Sequence, residues 1–182
     1  PLADKLYANS GELAFLGQSA IYEYESNEKK DDKEVLKSVV SKLERVVQEG
    51  SSPMYENYLG YVLIDHELDV KKGMKHIRKV LKIQPESAFY LDSLAWGYYK
   101  LGDCEKAKEV MNKVVKLEGG DDPEVKEHVK KINNCIKKVK KDSMIAVFCV
   151  LKSGGDYNLD YVMKLRNMIK RNSTVPYDFI CL

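Results

Sequence analysis

The clearest pattern of apolar and polar positions in the chain lies between residues 85 and 117. Apolar residues recur there at intervals of three or four positions, which is the spacing of one face of a helix. The pattern stops at Leu101, Gly102 and Asp103 and then resumes, and glycine and aspartate at such a break are typical of a turn. The stretch therefore predicts two amphipathic helices joined as a helical hairpin.

The same hairpin pattern occurs once more, about 34 residues earlier. The apolar positions of the second helix align with Gly73, Ile77 and Val80 at an offset of 34, and those of the first helix align with Leu59 and Gly60 at an offset of 35. In each copy a small residue falls where the two helices would cross closely. A unit repeated at this period predicts stacked hairpins that share a continuous core.

The period, the small crossing residues and Pro85, which closes a copy, resemble the tetratricopeptide repeat (TPR). The resemblance covers roughly residues 2 to 141, and the segments NYLGYVLID and YLDSLAWGYYKLGD are especially similar to bacterial repeat proteins of the cell envelope. It implies a mostly helical fold, a TPR-like α-solenoid of about three hairpins. The compartment stays open between the bacterial cytoplasm and the periplasm or cell envelope. We expect one repeat domain over residues 1–142, with repeats at about 2–52, 53–87 and 88–121.

The first copy is longer than the other two. Residues 2 to about 25 predict one helix, and residues 26 to 32 contain no apolar side chain, which predicts an exposed loop. Asp31 and Glu34 have the spacing of a capping box, so Asp31 is expected to cap the next helix. These carboxylates therefore indicate a helix start rather than a catalytic pair.

A last helix is predicted over residues 123–141, after the pair of glycines at 119 and 120. Almost all of its residues are Lys, Glu or Asn, apart from one stripe with steps of four and three: Val125, Val129, Ile132, Ile136 and Val139. A single apolar stripe with a charged back suits the end of a solenoid, because no further repeat covers the outer side. We therefore interpret this segment as a capping helix.

At Met144 the pattern changes from helical to extended. The apolar run MIAVFCVL is followed by the turn KSGG, a helical segment from residue 158 to about 171, and a second apolar run, YDFICL. Strand, helix and strand in this order predict a βαβ unit with parallel strands. Two strands cannot form a stable sheet alone, so residues 143–182 are expected to be the incomplete start of an α/β domain, and the chain a fragment.

Residues 144–182 also resemble the start of a bacterial glycosyltransferase-like family with a nucleotide-sugar-binding α/β fold, through LKSGGDY, YVxxLRxM and PYDFICL. The resemblance implies that four residues after the first strand lie near the nucleotide: Lys152, Ser153, Gly154 and Gly155. The DxD segment that binds metal in that fold class is absent from these residues, so whether the protein is an enzyme stays open. Two origins are also open, since Met144 could begin a separate protein or lie within a true fusion.

The charge of the chain is unevenly distributed. Residues 1–122 carry a net charge of −4, residues 123–142 carry +4 and residues 143–182 carry +2. No aromatic residue lies among the lysines of the basic segment, so a solvated helix face is favoured over a nucleic-acid site. No apolar run approaches the length of a transmembrane helix. The four cysteines lie far apart without a CxxC pair, which favours free thiols.

In the TPR family the first helix of each hairpin lines a concave groove. The side chains expected to point into it are Asn57, Tyr61, Ile64, Asp65, Phe89, Asp92, Trp96, Tyr99 and Lys100. Aromatic rings suit peptide binding because they bury a large area at a small entropic cost. The alternative is that these rings fill gaps between repeats. For Trp96 and Tyr61 both interpretations are equally supported, whereas packing is favoured for Phe89 and Tyr98. We expect a scaffold that binds a partner protein or peptide, and the alternative is the N-terminal part of a TPR-fused glycosyltransferase with a nucleotide-sugar donor.

Other chemistry finds no support in the sequence. His66, His76 and His128 stand alone, without Cys, Asp or Glu at the spacing of metal ligands. No GxSxG, P-loop, HExxH or GxGxxG motif is present. We therefore predict no metal site, no cofactor and no catalytic residue within this sequence.

Overall fold

A computed structural model describes residues 2–50, 52–142, 145–149, 159–173 and 177–181. Most of these residues are helical. The chain divides into two compact units, Pro1–Asn133 and Asn134–Leu182.

Three helical hairpins follow a short N-terminal helix. The helices that begin in the first unit are α1 (Leu2–Ser10), α2 (Leu13–Ser26), α3 (Lys33–Gln48), α4 (Pro53–Asp65), α5 (Val70–Leu81), α6 (Ala88–Lys100), α7 (Cys104–Val114) and α8 (Pro123–Asp142). The hairpins are α2 with α3, α4 with α5, and α6 with α7. The prediction of one helix over residues 2 to 25 is wrong, because Gly11 adopts a left-handed conformation with φ of 71° and separates α1 from α2.

Short polar side chains cap the starts of the helices. Asp32, Asp69 and Asp103 each accept hydrogen bonds from backbone N–H groups in the first turn of α3, α5 and α7. The prediction that Asp31 caps α3 is therefore wrong by one residue, because the cap is Asp32. The carboxylate of Asp31 instead lies 3.1 Å from His66 Nδ1.

The core runs continuously from hairpin to hairpin. Leu16 and Ala20 of α2 pack with α3 and α4, Ile64 of α4 packs with α5 and α6, and α6 packs with α7 and α8. Each cluster thus combines residues of a hairpin with residues of the helix that follows it, as expected for stacked repeats.

The backbones of α4 and α5 approach each other closely where these helices cross. A Cβ atom built on Gly60 would lie 2.9 Å from the carbonyl oxygen of Gly73, and one built on Gly73 would lie 2.6 Å from the carbonyl oxygen of Gly60. The two backbones therefore touch, and neither position has room for a side chain.

The N-terminal part of α8 covers the third hairpin. Val125 and Ile132 are buried in the same core cluster as Ala107, Met111 and Val114. Asp122 accepts a hydrogen bond of 2.8 Å from the backbone N–H of Glu124 and so caps this helix. α8 thus supplies the apolar surface that a further repeat would otherwise provide.

The second unit contains two short strands. β1 (Ile145–Cys149) pairs in parallel with β2 (Tyr177–Cys181), with Ile145 opposite Tyr177, and α9 (Leu159–Asn172) lies between them in sequence. The predicted nucleotide-binding residues, Lys152, Ser153, Gly154 and Gly155, lie outside the described residues.

Two of the four cysteines differ from the expected free thiols. Cys104 and Cys135 are both disulfide-bonded. Sequence spacing could not show this, because it does not indicate which sulfur atoms the fold brings together.

Candidate functional site

A cavity of about 650 Å³ lies among the first helices of the three hairpins and the start of α8. We call it the aromatic groove, because five of the residues that line it have aromatic rings: Tyr24, Tyr58, Tyr61, Phe89 and Tyr90. Its charged lining residues are Glu25, Lys30, Asp65, Asp92 and Glu124. The groove is therefore both aromatic and acidic.

Two tyrosines of α4 donate hydrogen bonds to carboxylates on opposite sides of the groove. The Tyr58 hydroxyl donates to Glu25 of α2, and the Tyr61 hydroxyl donates to Glu124 of α8. Burial, followed by these hydrogen bonds, raises the pKa of both tyrosines well above the ordinary value of 10.0. Both phenols are therefore protonated donors at neutral pH, and they hold the two carboxylates in place.

Tyr24 is fixed by a third hydrogen-bonded chain. Its hydroxyl lies 2.8 Å from His66 Nε2, and His66 Nδ1 lies 3.1 Å from Asp31 Oδ1. The carboxylate favours the tautomer in which Nδ1–H donates to Asp31, so Nε2 accepts a hydrogen bond from the Tyr24 hydroxyl. This chain joins α2, the loop after it and the end of α4, and it supports one wall of the groove.

Trp96 lies in the core beside the groove. Its side chain is 3% exposed, and its indole stacks between Tyr99, at a centroid distance of 4.6 Å, and His128, at 4.0 Å. Its N–H donates a hydrogen bond of 2.8 Å to Asp65 Oδ1. The ring is buried and its one donor is occupied, so of the two interpretations of Trp96 the structure favours packing within the core over a place in the groove.

The charges next to Trp96 are also engaged within the protein. Lys100 Nζ donates to the backbone oxygen of Asp65 at 2.6 Å and lies 3.3 Å from Glu67 Oε1. Asp92 is buried, and both of its carboxylate oxygens lie within 3.0 Å of His128 Nδ1. These contacts join α4 to α6 and α6 to α8.

A solved structure with a similar fold is the crystal structure of the Sgt2 TPR domain from Aspergillus fumigatus. The two chains share 14% sequence identity at a TM-score of 0.55, and the alignment covers 87% of this chain and 90% of that chain. The chain has a TPR-like fold. At this identity the likeness concerns the fold alone. No protein-family model and no curated protein matches the sequence.

In this TPR-like fold the nine residues predicted for the groove fall into two groups. Those that line the aromatic groove are Asn57, Tyr61, Asp65, Phe89 and Asp92. Ile64 is fully buried and Trp96 nearly so, because the third hairpin and α8 cover them, and both belong to the core. Tyr99 and Lys100 pack on Trp96 and Asp65 and do not line the groove.

Sequence reasoning missed ten of the fifteen residues that line the groove. The missed residues include Tyr24 and Glu25 of α2, Tyr58 of α4, Tyr90 of α6 and Glu124 of α8. A correct register for α2 would have indicated the first two. Nothing in the sequence showed that the start of α8 reaches the first helices.

None of the helices in the described part of the chain has the length and hydropathy that a bilayer crossing needs. Within those same residues, no three His, Cys, Asp or Glu side chains are grouped so as to hold a metal ion.

Proposed function

We propose that the protein is an interaction scaffold that binds a segment of a partner protein, as a peptide, in the aromatic groove. The TPR-like fold supports a role in binding a protein partner, and the groove supports the location. Its volume of about 650 Å³ is in the range of specific ligand sites, roughly 300–1,000 Å³. The clustering of five aromatic rings around this cavity is the observation that carries the proposal.

Phe89 is the best candidate for an anchor of the partner. Its side chain is 59% exposed although it lines the groove, so an apolar ring faces solvent in the free protein. Covering an exposed ring releases water, and aromatic residues often dominate the free energy of binding at interfaces. Phe89 therefore offers binding free energy that the fold itself does not use.

Asn57 offers a polar contact for a peptide main chain. It lines the groove, and its Oδ1 atom is buried without a hydrogen-bond partner among the described residues. A buried acceptor without a donor is unfavourable, so a peptide N–H that reaches it gains free energy. Main-chain contacts of this kind hold extended peptides in many recognition domains.

The proposal can be tested with a phage-displayed library of random dodecapeptides. Peptides recovered on the unmodified protein are synthesised, and their affinities are compared for the protein, Phe89→Ala and Tyr22→Ala. Tyr22 is a matched control, because its ring is 62% exposed on α2 and does not line the groove. We expect Phe89→Ala to weaken binding at least about tenfold, in keeping with an interface hot spot, and Tyr22→Ala to leave it unchanged. Equal affinity for all three proteins would contradict the proposal.

A second candidate function is nucleotide-sugar binding by the second unit. It is favoured by the parallel pairing of β1 and β2 on either side of α9, which is the arrangement at the start of many nucleotide-binding α/β folds. The test is calorimetric titration with UDP of the unmodified chain, of Lys152→Ala and of the control Lys170→Ala. Binding lost with Lys152→Ala alone supports this candidate, and no heat with the unmodified chain contradicts it.

A further inference from the structure

We propose that the aromatic groove selects peptides that carry arginine. This inference rests on the proposed function, because it names the chemistry of the peptide that the same groove binds. It follows from the charges of the groove and from the rings that lie beside two of its carboxylates.

The groove carries an excess of negative charge. Four carboxylates line it and one ammonium group does, that of Lys30. Lys30 is held at the edge by the backbone oxygens of Tyr24 and Glu25, at 2.8 and 3.0 Å. A basic ligand is therefore attracted to the cavity, and an acidic one is repelled.

Two of the four carboxylates already have hydrogen-bond partners on other helices of the protein. Asp65 lies 3.8 Å from Lys100 Nζ and accepts the indole N–H of Trp96. Asp92 is buried and paired with His128. The remaining carboxylates, Glu25 and Glu124, are exposed, so these are the two that a ligand can reach.

Hydrogen bonds orient the carboxylates of Glu25 and Glu124 but do not occupy all of their acceptor sites. Each accepts one tyrosine hydroxyl through Oε1, whereas an ionised carboxylate has about four acceptor sites on its two oxygens. Glu25 also has Lys30 Nζ at 3.4 Å from Oε2, in a pair whose side chains are 42% and 60% exposed. A ligand cation can therefore displace Lys30 from Glu25 at little cost, because exposed ion pairs are weak.

The neighbouring rings favour arginine over lysine. Glu25 accepts the hydroxyl of Tyr58 and Glu124 accepts the hydroxyl of Tyr61, so each carboxylate lies at the hydroxyl end of an aromatic ring. A planar guanidinium can stack on a ring and donate to a carboxylate at the same time, and it loses less hydration than an ammonium group.

The experiment uses the same peptide library on the full chain. The recovered peptides are first tested for binding in the groove, and the charged residues in their sequences are then counted. Peptides whose binding is lost with Phe89→Ala are groove ligands, and their sequences are counted. We expect arginine to be enriched in them over its frequency in the library and over lysine, with Asp and Glu depleted. If no peptide depends on Phe89, the proposed function itself fails. If groove ligands are found but are neutral or acidic, only the arginine inference is overturned.

Charge variants give an independent test with a recovered arginine peptide. Glu25→Gln and Glu124→Gln should each weaken its binding about threefold to tenfold, whereas Glu109→Gln on the exposed side of α7 should not. Lys30→Gln should strengthen binding about twofold to threefold, because it removes the competing cation. Equal affinities for Glu25→Gln, Glu124→Gln and Glu109→Gln would overturn the inference.

Discussion

The hydroxyl of Tyr61 donates a hydrogen bond to the carboxylate of Glu124, 63 residues later in the chain. Tyr61 lies on the first helix of the middle hairpin, and Glu124 lies in the first turn of α8. The third hairpin separates these helices in sequence, yet their side chains meet in the groove. The helix that closes the solenoid therefore also forms a wall of its candidate binding site.

This contact should be measurable as a coupling between the two side chains. We expect Tyr61→Phe and Glu124→Gln to lower the free energy of unfolding by about 0.5–1.5 kcal/mol each, and the double variant to lower it by less than the sum. Urea denaturation of the four proteins gives the coupling. Strictly additive losses would mean that the hydrogen bond does not form in solution.

Trp96 and Phe89 should respond in opposite ways to truncation. Trp96→Ala removes a buried ring that stacks on two neighbours, so the free energy of unfolding should fall by about 3–5 kcal/mol. Phe89→Ala removes an exposed ring, and the change should lie within about 0.5 kcal/mol. Thermal and urea unfolding followed by circular dichroism measure both. A stable Trp96→Ala variant would contradict the stacked arrangement between α6 and α8.

Substituting alanine for Gly60 or for Gly97 should lower the free energy of unfolding by different amounts. Gly60 faces a backbone that cannot yield easily, whereas Gly97 faces a flexible side chain. In Gly60→Ala the new methyl group would lie 2.6 Å from Ile77 Cδ1 and 2.9 Å from the backbone of Gly73, so α4 and α5 must move apart. The loss should be about 1–3 kcal/mol, more than the roughly 1 kcal/mol that alanine gains in helix propensity.

Gly97→Ala is the matched comparison. Its methyl group would lie 2.7 Å from Met74 Cγ, and a methionine side chain can adjust more easily than a backbone. The loss should therefore be smaller than for Gly60→Ala in the same urea titration. A larger loss at Gly97 would contradict the inference that the close backbone contact between α4 and α5 is the harder one to relieve.

The groove tyrosines should make the protein sensitive to alkaline pH. The folded-state pKa values of Tyr24, Tyr58 and Tyr61 are raised above 10.0, mainly by burial. Below pH 10 both folded and unfolded chains keep these protons, and the contribution to stability is fully present. Above pH 10 the unfolded chain releases protons that the folded chain retains, so stability falls as the pH rises.

The comparison that isolates this effect uses Tyr58→Phe with Tyr61→Phe. Lysines also lose protons at high pH, so the unmodified protein and the double variant are unfolded with urea at a series of pH values. The double variant should show a shallower decline above pH 10. Ultraviolet absorbance of the folded protein should show these tyrosines titrating later than they do in denaturant.

The repeats could be predicted because they depend on local patterns. The spacing of apolar residues indicated α4 to α7, and the small residues at Gly60, Gly73 and Ala107 marked the helix crossings. The N-terminal region was harder, because periodicity continues across Gly11 and does not show the left-handed turn there. Asp31 and Asp32 are also equally good caps by composition, and only the position of the first turn decides between them.

The groove could be predicted in part, for a different physical reason. The repeat pattern shows which residues lie on the first helix of each hairpin, and this indicated Asn57 and Tyr61. It also indicated Phe89, but packing between repeats was favoured for that ring, which is in fact exposed in the groove. It does not show how far α8 reaches, so His128 over Trp96 and Glu124 beside Tyr61 were not foreseen. Contacts between elements far apart in sequence leave no local pattern.

The contact between Gly60 and Gly73 also bears on the shape of the surface that carries the groove. In a stacked-repeat protein, curvature follows from small rotations between successive repeats, and the thickness of each hairpin contributes to those rotations. A methyl group at either glycine would thicken the middle hairpin and change the curvature of the surface that carries Tyr58 and Tyr61. If the groove binds a partner as proposed, substitutions at two positions that do not line it would therefore change which partners fit.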